Sequence, residues 1–296
     1  MARRAAGGQV HRAAVSRSPW PSPPSGFVLH ATGPRAVYVA EPFEGDLRDR
    51  GLDAWEAWER ALAAGSASSG RGVNAVVEGG SGRRWRLKLM RRGGRLAGLW
   101  RDRYPSARRL VSTLAASAEA GARGVPAARA VALIVASGPA GLARGAMAFE
   151  EIEGAEDLAR RVRARTVTRA DLVAAIGAVR SMHARGIHHT DLNLGNLLVR
   201  PREGGSPEAF VIDFDGAVIG SGPRPFADRQ AALRRLERSC AKLVGTPGPL
   251  GPGSDDLWYS IYADGDAELS ERLARGRRVG RLALAVHKMG WRRSTP

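Results

Sequence analysis

Between residues 183 and 215 the chain carries polar groups at a spacing that few folds accommodate. Ile187-His188-His189-Thr190-Asp191-Leu192-Asn193-Leu194-Gly195-Asn196 is an H-x-D-x-x-x-x-N loop. Val211-Ile212-Asp213-Phe214-Asp215 follows, an apolar run ending in two carboxylates. Upstream, Thr168 and Asp171 have the spacing of a capping box, and Leu172, Ile176, Val179 and His183 recur at helical intervals. Gly186 stops that helix, so a buried helix delivers the chain into the His189 loop. Leu197-Leu198-Val199 and Phe210-Val211-Ile212 read as two short strands, turned by Glu203-Gly204-Gly205-Ser206-Pro207. Such a hairpin holds Asn196 and Asp213 near each other.

These residue types in this order point to phosphoryl transfer, where positioning and charge neutralisation matter more than covalent work by the protein. Asp191 would accept or orient the proton of an attacking hydroxyl. Asn196, folding back from the same loop, would offer its carbonyl oxygen to Mg2+. Asp213 would add a hard carboxylate to the same ion, carried in on ATP. His189 is grouped with Asp191 as a catalytic-loop residue, with a bracing role by hydrogen bonding rather than one as acid or base.

The order of elements predicts an α+β, bilobal protein-kinase-like fold, with a small antiparallel-sheet N-lobe over residues 27–150 and a larger helical C-lobe over 151–296. An amphipathic helix is expected from Asp46 to Ala64, with Leu52, Trp55, Trp58 and Leu62 on one side. The glycine-rich stretch after it, with Gly70 and Gly72, could cover ATP phosphates with backbone N–H groups. Val73 to Glu78 and Arg83 to Met90 make a hairpin whose second strand carries Lys88, where kinase folds place the cation that holds nucleotide phosphates. Arg91 and Arg92 offer guanidinium forks to phosphate or to an acidic sugar. A helix is expected over Ser106 to Ala122 and a buried strand over Ala130 to Ala136. A strand from Ala146 to Ile152 would run into the interlobe hinge, where backbone near Glu150 and Ile152 would meet adenine. Leu257 to Trp291 should form closing helices with Trp258, Tyr259 and Leu282 inward.

The loop H-H-T-D-L-N-L-G-N-L-L-V with V-I-D-F-D resembles the lipopolysaccharide core kinases, most of all those acting on 3-deoxy-D-manno-octulosonic acid (Kdo). Asn193 stands where ordinary protein kinases usually have Lys, as in the sugar kinases of this group, and Asp215 replaces the Gly of D-F-G. Arg91-Arg92-Gly93-Gly94, Arg101-Asp102-Arg103-Tyr104, Gly124-Val125-Pro126 and Arg235-Leu236-Glu237-Arg238-Ser239 are also similar to family segments. The resemblance runs from about Gly70 to Lys242. It implies transfer of the ATP γ-phosphate to the Kdo residue of lipid A–core, with Asn193, Asp215, Arg91, Arg92, Arg235 and Arg238 on the acceptor side. A heptose kinase, another small-molecule phosphotransferase or a membrane-associated pseudokinase are the alternatives. One departure stands out. The family's acidic partner for the strand Lys falls near Ser112 to Leu114, where this chain has none, and Glu119 is the helix's one acid. Either Glu119 reaches Lys88 or Lys88 is held otherwise.

The 296 residues carry a net charge of +17, nearly all of it Arg, with three lysines among 46 basic residues. Affinity for anionic membrane surfaces and an acidic glycolipid acceptor such as Kdo-lipid A fits that charge. No nucleic-acid-binding signature appears, and no obligate protein partner is inferred. Cys240 is the one cysteine, and its helical, apolar neighbours predict a packed thiol in a reducing compartment. No apolar run approaches the ~20 residues of a spanning helix. Residues 1–26, basic and then Ser/Pro-rich, lack a secretory core and read as a disordered tail. The expected location is cytoplasmic, peripheral on the cytoplasmic face of the inner membrane.

Overall fold

The computed structural model describes residues 19–65, 74–91, 102–138 and 141–277. Gly70, Gly72, Arg92, Leu282 and the first 18 residues of the expected tail lie outside the described residues.

The small lobe opens with β1 (Phe27–Thr32) and β2 (Arg35–Ala40), followed by α1 (Glu44–Asp49) and α2 (Trp55–Ala64). β3 (Asn74–Glu78), β4 (Arg84–Leu89), α3 (Ala107–Ala122), β5 (Ala130–Ser137) and β6 (Ala143–Glu150) complete it. The six strands form one antiparallel sheet in the order β1-β2-β5-β6-β4-β3. β5 is apolar and buried over its first six residues, the pattern of a strand covered on both faces. α3 approaches β6 closely at Gly145, where a Cβ would stand 2.8 Å from a Leu110 methyl.

Two expectations are corrected here. The segment from Asp46 to Ala64 is two helices, because Gly51 adopts a left-handed φ of 61° and breaks the first. Leu52, Trp55, Trp58 and Leu62 are still all buried, and Trp58 Nε1 donates to the Leu52 carbonyl at 2.7 Å across the break. Residues 19–26 are docked on the small lobe rather than disordered. Trp20 packs against the core, and the buried Tyr38 hydroxyl donates to the Pro21 carbonyl at 2.8 Å. Packing a partly buried indole against the core and satisfying a phenol outweigh the Ser/Pro composition of that stretch.

The large lobe contains β7 (Glu156–Asp157), α4 (Leu158–Ala164), α5 (Arg169–Ala184), β8 (Ile187–His188), β9 (Leu197–Arg200) and β10 (Glu208–Val211). After β11 (Val218–Ile219) come α6 (Phe226–Val244), α7 (Leu257–Ala263) and a helical segment over 267–277. β10, β9 and β7 form a three-stranded sheet, and β8 pairs with β11. α5 is opened by a complete capping box: Thr168 Oγ1 accepts from Asp171 N and the Asp171 carboxylate accepts from Thr168 N. Trp258 and Tyr259 point inward as expected, and Cys240 is buried with its thiol pushed up to about 11. Burial is the cause of that shift.

Two hydrophobic cores result, and α3 belongs to both. Its Leu110, Val111 and Leu114 enter the small-lobe core, while Ala116 and Ala120 enter the large-lobe core. The chain leaving α3 then joins the β9–β10 hairpin, with Val211 N–H donating to the Pro126 carbonyl at 2.8 Å. α3 is therefore the element through which the sheet of one lobe feels the loops of the other.

Candidate active site

The catalytic-loop candidates converge because α5 stops at a backbone turn that only Gly makes cheaply. Gly186 has φ of 81°, and a Cβ there would stand 2.7 Å from the carbonyl oxygens of Gly220 and Gly222. From this turn the chain runs through β8 into the His189 loop. The His189 ring is 1% exposed, its Nδ1 accepts the Asp191 N–H at 3.2 Å, and its Nε2 lies 3.1 Å from the Ile212 carbonyl. One nitrogen accepts and the other donates, so the ring is the neutral Nε2–H tautomer. Burial holds its pKa below the ordinary value, against the opposing pull of the Ile212 carbonyl, Asp213 and Asp191. Both nitrogens are thus committed to the backbone, which gives His189 a bracing geometry.

The Asp191 carbonyl accepts from two side-chain amides, Asn193 Nδ2 and Asn196 Nδ2, each at 3.0 Å. Its carboxylate is exposed and has no ion pair among the described residues. The Asn196 bond uses its Nδ2 and leaves its Oδ1 without a hydrogen-bond partner among the described residues. The Ile212 N–H donates to the Asn196 carbonyl at 3.0 Å, clamping this segment beside Asp213. Asn193 makes two local hydrogen bonds. Its Nδ2 is on the Asp191 carbonyl and its Oδ1 accepts from Gly195 N at 2.9 Å, so its amide closes the loop. Leu194 N–H donates to Ser239 Oγ at 3.2 Å, which anchors the loop to α6.

Lys88 on β4 meets Asp213 directly, Nζ to Oδ2 at 2.7 Å. Asp213 has φ of 67°, a conformation costly for a side chain with a Cβ and concentrated at functional sites. Phe214 behind it is buried against the His189 ring, 5.7 Å between centroids. Glu119 does not reach Lys88. It pairs with Arg123 Nε at 2.7 Å, one turn on along α3. The Asp215 carboxylate takes Thr113 Oγ1 at 3.0 Å and Arg109 Nη2 at 3.0 Å.

At the hinge, the Glu150 N–H donates to the Arg129 carbonyl and the Glu151 N–H to the Arg84 carbonyl. In the same stretch the Ile152 carbonyl accepts from Ala155 N–H at 3.2 Å. Arg86 and Glu151 form a two-pronged ion pair at 2.6 and 2.5 Å beside it. Arg235 is half-buried on α6 and near His188, whose pKa is held down by burial and by Arg224 and Arg235, with Asp228 opposing. Arg238 is exposed and Arg91 half-buried.

An Asp and an Asn oxygen suit a hard divalent cation, and Lys88 shows that the Asp213 carboxylate already sits where positive charge is favoured. The donor set therefore fits magnesium. Sequence reading overlooked Thr113, Arg109, Arg86 and Ser239 as parts of this site. Ser239 lay within a motif already noted, whereas the other three had no local signal.

The model of the lipopolysaccharide kinase (Kdo/WaaP) family matches residues 55–248. The 3-deoxy-D-manno-octulosonic acid kinase of Haemophilus influenzae is 30% identical over 200 residues, 64% of this chain and 79% of that one. The kinase of the same name from Xylella fastidiosa is 29% identical over 190 residues, 60% of this chain and 73% of that one. A solved structure of WaaP in complex with acyl carrier protein superposes with a TM-score of 0.49 at 20% identity, covering 81% of this chain and 97% of that one. With the kinase-like lobes and loops in place, the match over 55–248 assigns the chain: it belongs to the lipopolysaccharide kinase (Kdo/WaaP) family and is a phosphotransferase of that class.

Proposed function

We propose that this protein transfers the γ-phosphate of ATP to a hydroxyl of the Kdo residue in lipid A–core, with residues 27–150 as nucleotide lobe and 151–296 as catalytic and acceptor lobe. The observation that carries the mechanism is the Lys88–Asp213 contact beside an Asn196 whose backbone is tied to the Asp213 strand. The identity of the acceptor rests on the names of the relatives.

Asp191 orients the acceptor hydroxyl and takes up its proton, an exposed carboxylate at the end of a braced loop. His189 holds that carboxylate's backbone, and Asn193 and Ser239 hold the loop's shape. Asp213 and Asn196 would hold magnesium, which neutralises phosphate charge and polarises the transferring group. Lys88 leaves Asp213 in favour of the nucleotide phosphates, and Gly70 and Gly72 are proposed to cover them. Glu150 and Ile152 border the adenine. Arg91, Arg92, Arg235 and Arg238 remain acceptor-side candidates, suited to the carboxylate and phosphates of an acidic glycolipid.

No helix of the described residues is long and apolar enough to cross a membrane. Net charge of +17 and an acceptor embedded in a bilayer support peripheral attachment to the anionic cytoplasmic face of the inner membrane, where ATP is available. The test is mass spectrometry of Kdo-bearing and heptose-bearing lipid A acceptors after incubation with the protein, ATP and magnesium. One added phosphate on the Kdo acceptor is expected. Phosphate on heptose alone would overturn the acceptor, and none on either would overturn the reading.

A further inference from the structure

The grip of α3 on Asp215 replaces an interaction the chain lacks. A carboxylate on this helix would ordinarily steady the strand Lys. Here the stretch from Ser112 to Leu114 holds Thr113 instead, and Glu119 is spent on Arg123. Thr113 and Arg109 lie one turn apart on the same face of α3 and take one carboxylate oxygen of Asp215 each, Oδ1 and Oδ2, both at 3.0 Å. Thr113 is 3% exposed, so its one hydroxyl proton is shared between the Asp215 carboxylate and the Arg109 carbonyl at 3.1 Å, and the charged oxygen is the stronger acceptor. From the other side, Thr190 Oγ1 reaches the Asp215 carbonyl at 3.4 Å, and Thr190 is the residue before Asp191. Gly216, at φ of 68°, lets this turn close, since a Cβ there would stand 3.2 Å from Thr190 Oγ1.

Asp215 thus joins α3, the metal-side turn and the catalytic loop. The polarity of the usual arrangement is reversed. The turn supplies the carboxylate, and the helix supplies a hydroxyl and a cation. Because Phe214 is locked in the core between the two acids, a rotation at Asp215 would be felt at Asp213, whose left-handed backbone needs support from its surroundings.

We propose that Thr113 and Arg109 are positioning residues for phosphoryl transfer: by holding Asp215 they lock α3 to the metal-side turn and keep Asp213 in place for magnesium and Lys88. The inference rests on the proposed function for its meaning in turnover. Thr113 carries the larger share, because Arg109 is half-exposed and its pair is weakened by solvent.

The experiment uses the full chain and four variants: Thr113→Val, Thr113→Ser, Arg109→Asp, and Arg109→Asp combined with Asp215→Arg. Affinity for Mg-ATP is titrated by calorimetry, kcat and both KM values are measured with the Kdo acceptor, and urea midpoints report folding. Thr113→Val should weaken Mg-ATP affinity and kcat by about tenfold or more while the acceptor KM stays unchanged. Thr113→Ser should remain near wild type, and the double exchange should relieve only the like-charge repulsion that Arg109→Asp introduces, because it also removes the carboxylate that Thr113 holds. A rise in acceptor KM alone would place Asp215 against the acceptor and overturn the proposal. So would a Thr113→Val protein with wild-type affinity for Mg-ATP, or the same loss in Thr113→Ser as in Thr113→Val. Because Mg-ATP affinity is read without acceptor, failure of transfer in the wild-type chain would strike the proposed function, and the titrations would still decide this inference.

Discussion

Replacing Gly186 by Ala should destabilise the protein severely, although it adds one methyl group to a turn that contacts no substrate. The residue has φ of 81°, and holding an alanine in left-handed geometry costs about 1–2 kcal/mol. Its Cβ would fall 2.7 Å from the carbonyl oxygens of Gly220 and Gly222. Those carbonyls cannot easily retreat, because Gly220 N–H is bonded to the Gly186 carbonyl at 2.9 Å and Arg123 Nη1 donates to the Gly220 carbonyl at 2.6 Å. Forcing that overlap adds about 1–3 kcal/mol, on the scale of other overpacking substitutions. The sum, about 2–5 kcal/mol, is a large part of an ordinary stability of about 5–15 kcal/mol. Gly177, inside α5, is the internal control. Nothing lies within 4 Å of a Cβ there, so Gly177→Ala should stabilise by about 0.5–1 kcal/mol through helix propensity. Equilibrium urea unfolding reads both changes as opposite shifts of the midpoint at constant slope. If Gly186→Ala unfolds within 0.5 kcal/mol of wild type, roughly the reach of neutral surface changes, the assignment of this turn is wrong.

Three further outcomes are expected. Thr168→Ala removes half of the capping box on α5 and should cost about 1 kcal/mol in the same urea assay, with Thr168→Ser close to wild type. Burial holds the His183 imidazole down to about 3 in the folded chain, where Nδ1 meets the Tyr262 hydroxyl at 2.9 Å, against 6.5 unfolded. Its folded value is depressed, so its contribution is complete above 6.5 and is lost as pH falls towards about 3. Between pH 5.5 and 4.5, His183→Gln should therefore show a stability slope shallower by about 1.4 kcal/mol per pH unit, and an unchanged slope would contradict a neutral buried His183. Cys240, buried with its thiol raised to about 11, should react with a thiol reagent only after unfolding; rapid labelling of the native protein would refute its placement.

Much of the catalytic half was legible because its signals are local. The capping box, the helical period of α5, the Gly stop and the two short strands each occupy a few residues and agree with one another. That agreement made it possible to infer from the order of residues alone that Asn196 and Asp213 are neighbours. The break at Gly51 was hidden by an apolar period that continues across it, since Leu52, Trp55, Trp58 and Leu62 keep facing one core. The partner of Lys88 was less legible still. The helix acid nearest in sequence to expectation, Glu119, satisfies a neighbour on its own helix, and the contact that replaces it joins Thr113 and Asp215 across 102 residues. Such a pair leaves no periodicity to read, and only the folded chain reveals it. The docking of Trp20 was missed for the opposite reason, because a composition-based reading averages one indole into a Ser/Pro-rich stretch.

The central claim is that Asp191 serves the chemistry and not the fold. Its carboxylate is exposed and makes no ion pair among the described residues, while its backbone carries the loop's hydrogen bonds. The direct measurement is the turnover of Asp191→Asn on the Kdo acceptor at saturating Mg-ATP. The account predicts a fall of about 10²–10⁴-fold, the share a positioned proton acceptor supplies, in a protein whose urea midpoint is unchanged. Turnover within a few fold of wild type would contradict it.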